Sequence, residues 1–207
     1  LDEYIRSVYT HHPRVKIFGS CFGHQLICQS LLIEYGVRVE VDPNGWEIGV
    51  KEVTLHKNFL ETFGTRWIAL ASPVGKRECG DKMRLQFVHH DRVVILTSDA
   101  LPTTWTTFGS TTHCTVQGVY EPARILTLQG HFEFDRFINS ECIIHFFGST
   151  WDNEKLDDML MAIDADDDSD VAAKMVLQFL LEGDEKRHHS SHAVMGAGGL
   201  LTPLSEG

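Results

Sequence analysis

Apolar positions change period several times along the chain, and each change marks an element. Leu1, Tyr4, Ile5 and Val8 recur at i, i+3, i+4 and i+7, which predicts an amphipathic helix from the first residue. His12-Pro13 breaks it, and Val15–Phe18 reads as a short apolar strand. From about Gly23 to Tyr35 the chain is apolar on most sides, which predicts a deeply packed helix with Gly36 as its C-terminal cap. Val37, Val39 and Val41 alternate with charged residues, as a strand does, and Pro43-Asn44-Gly45 is a turn. Alternation resumes over Ile48–Leu55, and Lys57–Phe63 is a short helix stopped by Gly64. Residues 71–82 read as a surface loop. Met83–Val88 and Arg92–Leu96 are predicted strands flanking His89-His90-Asp91.

Thr103–Thr112, rich in Thr, Trp and Phe, predicts another extended segment. Gln117–Tyr120 and Arg124–Leu128 form a hairpin around Glu121-Pro122-Ala123. A helix follows over Phe134–Phe147, with Phe134, Ile138 and Cys142 at spacing four, and a second over Asn153–Ile163. Asp164–Asp170 lacks the glycine and terminal glutamate of a calcium loop; its carboxylates instead suit the N-terminus of a last helix, Val171 to about Glu182. The stretch after Gly183 turns to Gly, Ser and His. The organisation expected is one domain over 1–183 and a disordered tail over 184–207, whose histidines read as solvated rather than metal-binding.

Composition narrows the function. The chain has 207 residues with 43% hydrophobic and 23% charged, ordinary for a soluble domain. A formal charge of -11 with no basic stripe argues against nucleic acid or an anionic membrane as partner. No apolar run approaches the ~20 residues a bilayer span needs, and no secretory leader is read. Five cysteines (Cys21, Cys28, Cys79, Cys114, Cys142) without C-x-x-C spacing suit a reducing compartment, so a cytoplasmic location is expected, with no metal site and no cofactor.

The stretch that carries chemistry is VKIFGSCFGHQLICQSLL, Val15–Leu32. Its Gly19-Ser20-Cys21-Phe22-Gly23 is a G-x-C-x-G, the cysteine form of a nucleophile elbow between strand and helix. The helix behind the turn aims its positive end at Cys21, which favours a thiolate. The plain alternative is a buried cysteine in a strand-to-helix loop. A cysteine nucleophile needs a base and something to orient it. His131, at the end of a strand, fits the base, and Glu133, two residues on, projects to the same side and can hold the imidazole. His131 could equally be a satisfied strand-end histidine, and Glu133 an acid at the start of the next helix. The backbone N–H of Phe22 is positioned to donate to an oxyanion.

GSCFGHQ and LQGHFEF together resemble the class I glutamine amidotransferase superfamily, whose elbow is G-x-C-x-G-x-Q and whose second motif is G-H-P-E. PNGWEIGV, VHHDRV and CTVQGVY resemble free-standing fungal amidotransferase-like proteins and their plant γ-glutamyl peptidase relatives. The resemblance runs from Leu1 to about Glu182. It implies an α/β fold: a flavodoxin-like three-layer αβα sandwich with a central, mostly parallel sheet. It implies Cys21 as nucleophile, His131 as base, Glu133 as its acid, and a γ-glutamyl thioester made from glutamine or another γ-glutamyl amide. Gln25 matches a substrate-holding glutamine. His89 and Asp91 match an H-x-D segment bordering the pocket, or else form a plain polar turn. An ammonia-accepting enzyme would act in trans. The alternatives are a γ-glutamyl peptidase acting on glutathione conjugates and an inactive relative serving as a binding module. Phe132 stands where the family has proline, and Ser20 where it has an apolar residue. The abrupt helical start predicts either that this helix simply begins the domain or that an N-terminal segment is missing, which in the family carries further strands and the loop giving the second oxyanion donor.

Overall fold

The computed structural model describes residues 1–64, 80–97 and 100–181. The loop expected over 71–82 (save its last three residues) and the tail expected over 184–207 lie outside them. In chain order the elements are α1 (Asp2–His11), β1 (Ile17–Ser20), α2 (Phe22–Leu32), a 3-10 turn (Ile33–Tyr35), β2 (Arg38–Val41), β3 (Glu47–Leu55), α3 (Lys57–Phe63), β4 (Lys82–His89), β5 (Asp91–Val94), β6 (Thr106–Thr107), β7 (Gly109–Ser110), β8 (Val119–Glu121), β9 (Ile125–Leu128), α4 (Arg136–Phe147), α5 (Asn153–Ile163) and α6 (Ser169–Leu181).

β9 organises the packing. Its four residues are all fully buried, so the strand is covered on both faces. Successive side chains of a strand point to opposite sides. Ile125 therefore joins Ile5 of α1, Ile27 and Leu32 of α2, and Val119 in one cluster. Leu126 and Leu128 join Phe59 and Phe63 of α3, Phe87, Tyr120, and Met175 and Phe179 of α6 in another. Helices thus cover both faces of the sheet ordered β1-β9-β8-β6. A smaller cluster of Ile48, Ile143 and Ile163 seats α4 and α5 against β3. Gly19 lets α2 approach β1: a Cβ there would lie 2.6 Å from the Gly23 carbonyl carbon and from Ile27 Cδ1. Gly36 closes the first long helical stretch at φ 76, the left-handed cap that glycine takes without strain.

Three expectations change. The described strands hold one parallel pairing, β1 with β9, and the rest are antiparallel. Strand alternation marks a strand but not its partner: β8 and β9 are a tight hairpin, β4 lies antiparallel to β3, and β2 pairs with β5 in a sheet of its own. In α1, Leu1 and Tyr4 are exposed while Ile5 is buried. The stripe is rotated by Tyr9, whose hydroxyl donates to the Glu121 carboxylate at 2.9 Å while its ring packs against the core. In α4, the face expected from Phe134, Ile138 and Cys142 is not the buried one; Asn139 and Ile143 are. Asn139 Nδ2 donates to Gln86 Oε1 at 2.8 Å, which gives this polar residue an interior place. That helix starts at Arg136 rather than Phe134, capped by the Asp135 carboxylate on the Ile138 N–H at 2.8 Å, with Glu133 two residues before the cap. Within Asp164–Asp170, Asp168 takes a two-pronged contact from Arg84 and Asp167 accepts from the Ser169 N–H at 3.1 Å. Among the described residues no helix is long and apolar enough to cross a membrane.

Candidate active site

The parallel register Ser20↔Leu128 brings the C-terminal ends of β1 and β9 side by side. One residue beyond β1 the chain turns sharply into α2 at Cys21, with φ 48 and ψ -108. A positive φ on a non-glycine residue costs energy and needs support from its surroundings. Here the Cys21 N–H donates to Leu128 O at 2.8 Å, and Cys21 O accepts from the Gln25 N–H at 3.1 Å. Three residues beyond β9 lies His131, held by a bridge to Gln86 in which its N–H donates to Gln86 O at 2.8 Å. The imidazole faces the Cys21 side chain. Nδ1 of His131 is 2.7 Å from Glu133 Oε1. A carboxylate can only accept, so Nδ1 carries the proton and Nε2 is left for the sulfur. The Phe134 ring stacks on the imidazole at 4.0 Å between centroids.

Burial works to lower the His131 pKa, but its hydrogen bonds to Cys21 and Glu133 outweigh this and raise it to about 9. Burial likewise works to raise the Glu133 pKa, and the bond from His131 carries it below the ordinary carboxylate value. His24, inside the same motif, is no base: burial, then the charge of His89, pushes it down to about 3. Because His131 binds its proton more tightly folded than unfolded, the stability it contributes is complete below about pH 6.5. It is lost as pH rises through about 9. We expect wild type to lose more thermal stability than His131→Gln between these two pH values, measured by melting. Parallel curves would refute the raised value.

The two residues that depart from the family pattern both support this arm. The Ser20 hydroxyl donates to Gly130 O at 3.0 Å and lies 3.4 Å from Glu133 Oε1. Phe132 packs edge-on against Phe18 of β1 at 5.9 Å and joins the larger core cluster. Phe22, whose N–H is the expected oxyanion donor, opens α2 as a residue 66% exposed.

Gln25 and His89 are both held by hydrogen bonds within the protein. Gln25 is buried, and its Nε2 donates to Asp91 O at 2.8 Å and to Gln129 Oε1 at 3.1 Å. The amide nitrogen is therefore spent inside the protein, leaving its oxygen. His89 has a side chain 2% exposed, with Nε2 2.8 Å from Glu47 Oε2 and Nδ1 3.0 Å from Asp91 O. Both partners are acceptors, and together they fix the orientation of the ring. The His89 ring is thus buried among its own partners. The burial of Glu47 works to raise its pKa, but the bond from His89, followed by those from Thr111 and Gln117, lowers it.

Sequence reasoning missed Glu47 and Gln129. Gln129 is fully buried, and its Nε2 donates toward Cys21 Sγ at 3.7 Å. Its spacing of two from His131 was the available signal, since both then share one side of an extended segment. Glu47 offered none, being a lone acid at a strand start. Among the described residues no group of His, Cys, Asp and Glu could hold a metal ion. A cavity of about 880 Å³ is lined by Glu133 together with Phe132, Phe134, Phe137, Val171 and the carboxylates of Asp166, Asp167, Asp168 and Asp170. Cys21 does not line it.

No protein-family model matches the chain. A glutamine amidotransferase-like protein of Schizosaccharomyces pombe is 27% identical over 183 residues, which are 88% of this chain and 64% of that one. A Saccharomyces cerevisiae protein, named by inference a glutamine amidotransferase, is 32% identical over 135 residues, 65% of this chain and 43% of its own. The chain thus spans less than two thirds of the length of these curated relatives. A glutamine amidotransferase structure from Thermotoga maritima matches with a TM-score of 0.59 at 17% identity, over 86% of this chain and 67% of its own. One from Methylobacillus flagellatus matches with a TM-score of 0.58 at 18% identity, over 88% and 68%. At such identities the structural likeness shows the α/β fold, and in sequence the chain is similar to the two yeast glutamine amidotransferase-like proteins.

Proposed function

We propose that the chain cleaves a γ-glutamyl amide through a thioester on Cys21, releasing ammonia from glutamine. One observation carries the reading: Cys21 and the His131–Glu133 pair meet at the ends of two paired strands, though far apart in sequence. The Cys21 sulfur attacks the γ-carbonyl carbon, and negative charge gathers on the carbonyl oxygen. The Phe22 N–H, in the first turn of α2, donates to that oxygen. The His131 imidazolium gives its proton to the leaving amine, and the C–N bond breaks to leave the thioester. Neutral His131 then takes a proton from water as it attacks, and glutamate leaves with the thiol restored. Glu133 holds the imidazole in the needed tautomer and offsets the charge it gains. The elbow at Cys21 presents the sulfur and keeps it clear of the core. This is the triad logic of acyl transfer with a thiol nucleophile.

A second reading has its own support. Cys21 is half-exposed and its neighbour Phe22 is out in solvent, so the sulfur is open to a leaving group bulkier than ammonia. A γ-glutamyl peptidase would use such a group, as in a glutathione conjugate. Incubation with glutamine and, separately, with glutathione S-conjugates separates the two. Ammonia from glutamine alone supports the amidotransferase; dipeptide conjugate alone supports the peptidase. A folded chain that turns over neither and is not labelled at Cys21 by a γ-glutamyl diazoketone overturns both, leaving a binding module. The enzyme that would accept the ammonia, acting in trans, and a cytoplasmic location belong to the same proposal.

A further inference from the structure

The Cys21 sulfur has a second polar neighbour besides His131, and its identity is fixed by a chain of donors. Asp91 O is a backbone carbonyl and can only accept, so the end of Gln25 that meets it at 2.8 Å must be the NH₂. The same NH₂ has a second hydrogen, directed at the Gln129 carboxamide 3.1 Å away, and what receives it must be the Gln129 oxygen. The other end of that carboxamide, the NH₂, is therefore the end that meets Cys21 Sγ at 3.7 Å. Gln129 is fully buried, and its N–H donates to Gln117 O at 2.9 Å, so the backbone beneath the amide is anchored as well. An amide N–H held in a buried place favours charge on the atom it faces, because no solvent has to reorganise to do the same.

We propose that Gln129 donates an N–H to the Cys21 thiolate and that Gln25 is the positioning residue that decides which end of the Gln129 amide faces the sulfur. This rests on the reading of Cys21 as nucleophile. It gives Gln25 a role through Gln129 rather than through substrate, and it places two donors around the sulfur: the imidazolium of His131 and the carboxamide of Gln129. Gln25→Glu reverses the arrangement. A carboxylate cannot donate to Gln129 Oε1, so the Gln129 amide turns its NH₂ toward the new carboxylate and its oxygen toward Cys21.

Alkylation by iodoacetamide at pH 7 tests this without any substrate, with each cysteine followed by peptide mass spectrometry. Cys142 is also half-exposed and serves as an internal reference for general loosening. In Gln129→Met, close in size but without an N–H, Cys21 alkylation is expected to slow about tenfold relative to Cys142. In Gln25→Glu it is expected to slow at least as much, and in Gln25→Met by less, since there the Gln129 amide is freed but not reversed. A Cys21-to-Cys142 ratio within twofold of wild type in Gln129→Met overturns the proposal. Should that variant not fold, an unchanged ratio in Gln25→Glu overturns it instead. If wild type never cleaves a γ-glutamyl amide yet follows this ordering, the proposed function falls and the inference stands. If it cleaves glutamine while Cys21 alkylation ignores Gln129, the reverse holds.

Discussion

Cys21→Ala is expected to lower γ-glutamyl amide cleavage by at least about 10⁴-fold, because removing the nucleophile removes the thioester route and leaves only binding and charge stabilisation. The measurement is ammonia release from glutamine, or conjugate cleavage, at saturating substrate. Cys28→Ala is the matched control. Cys28 is fully buried on α2, its Sγ lies 3.6 Å from His24 Nδ1, and burial drives its pKa well above the ordinary thiol range. Such a thiol is inert as a nucleophile. Its removal costs about 1 kcal/mol of packing, the typical size for a single buried change, and leaves turnover in place. Equal activity in Cys21→Ala and wild type would end both enzyme readings.

Glu47→Ala is expected to destabilise the fold strongly. The Glu47 carboxylate is 1% exposed and accepts from His89 Nε2 at 2.8 Å, Gln117 Nε2 at 2.7 Å and Thr111 Oγ1 at 2.6 Å. Alanine leaves three buried donors without an acceptor. A buried donor left unsatisfied costs about 1–3 kcal/mol, so the three together cost on the order of 3–5 kcal/mol, a large part of a domain's whole stability. For a chain of this size that is a fall in Tm of roughly 6–20 °C. The sign with pH follows from the lowered Glu47 pKa. Its contribution is present above the ordinary glutamate value and lost as pH falls through the lower folded one, so wild type should approach the variant in acid. A Tm within about 2 °C of wild type at pH 7 would show that the cluster carries little of the fold's stability.

The two motifs that name the site were legible because each is local. Gly19, Cys21 and Gly23 sit on one turn, and His131 and Glu133 on one extended step, so spacing alone announces them. Helix α5 was read to its true ends because an apolar period and a capping Asp152, accepting from Lys155 N–H at 2.8 Å, agree. The hairpin of β8 and β9 was read for the same reason, turn residues between two apolar runs. What escaped depends on partners supplied from elsewhere. Asn139 is polar, and its bonds to Gln86 and to the Phe87 carbonyl on β4 make it an interior residue. Glu47 gains its role from β4 and from the loop holding Thr111 and Gln117. The parallel sheet was over-read because one strand ending in a reactive turn suggests parallel neighbours on both sides. Here the chain pairs β9 with β1 on one side and with β8, antiparallel, on the other.

The pairing of β1 with β9 also sets which changes in chain length the molecule can absorb. Cys21 follows its last paired residue by one step, and His131 follows its own by three. One inserted residue between Leu128 and His131 would carry the imidazole about 3.3 Å along the chain and turn it to the opposite side, away from the sulfur. Insertions and deletions elsewhere leave those two counts alone. Across diverging copies of this chain, the number of residues separating the two motifs can drift, while the short tether of each to its own strand cannot.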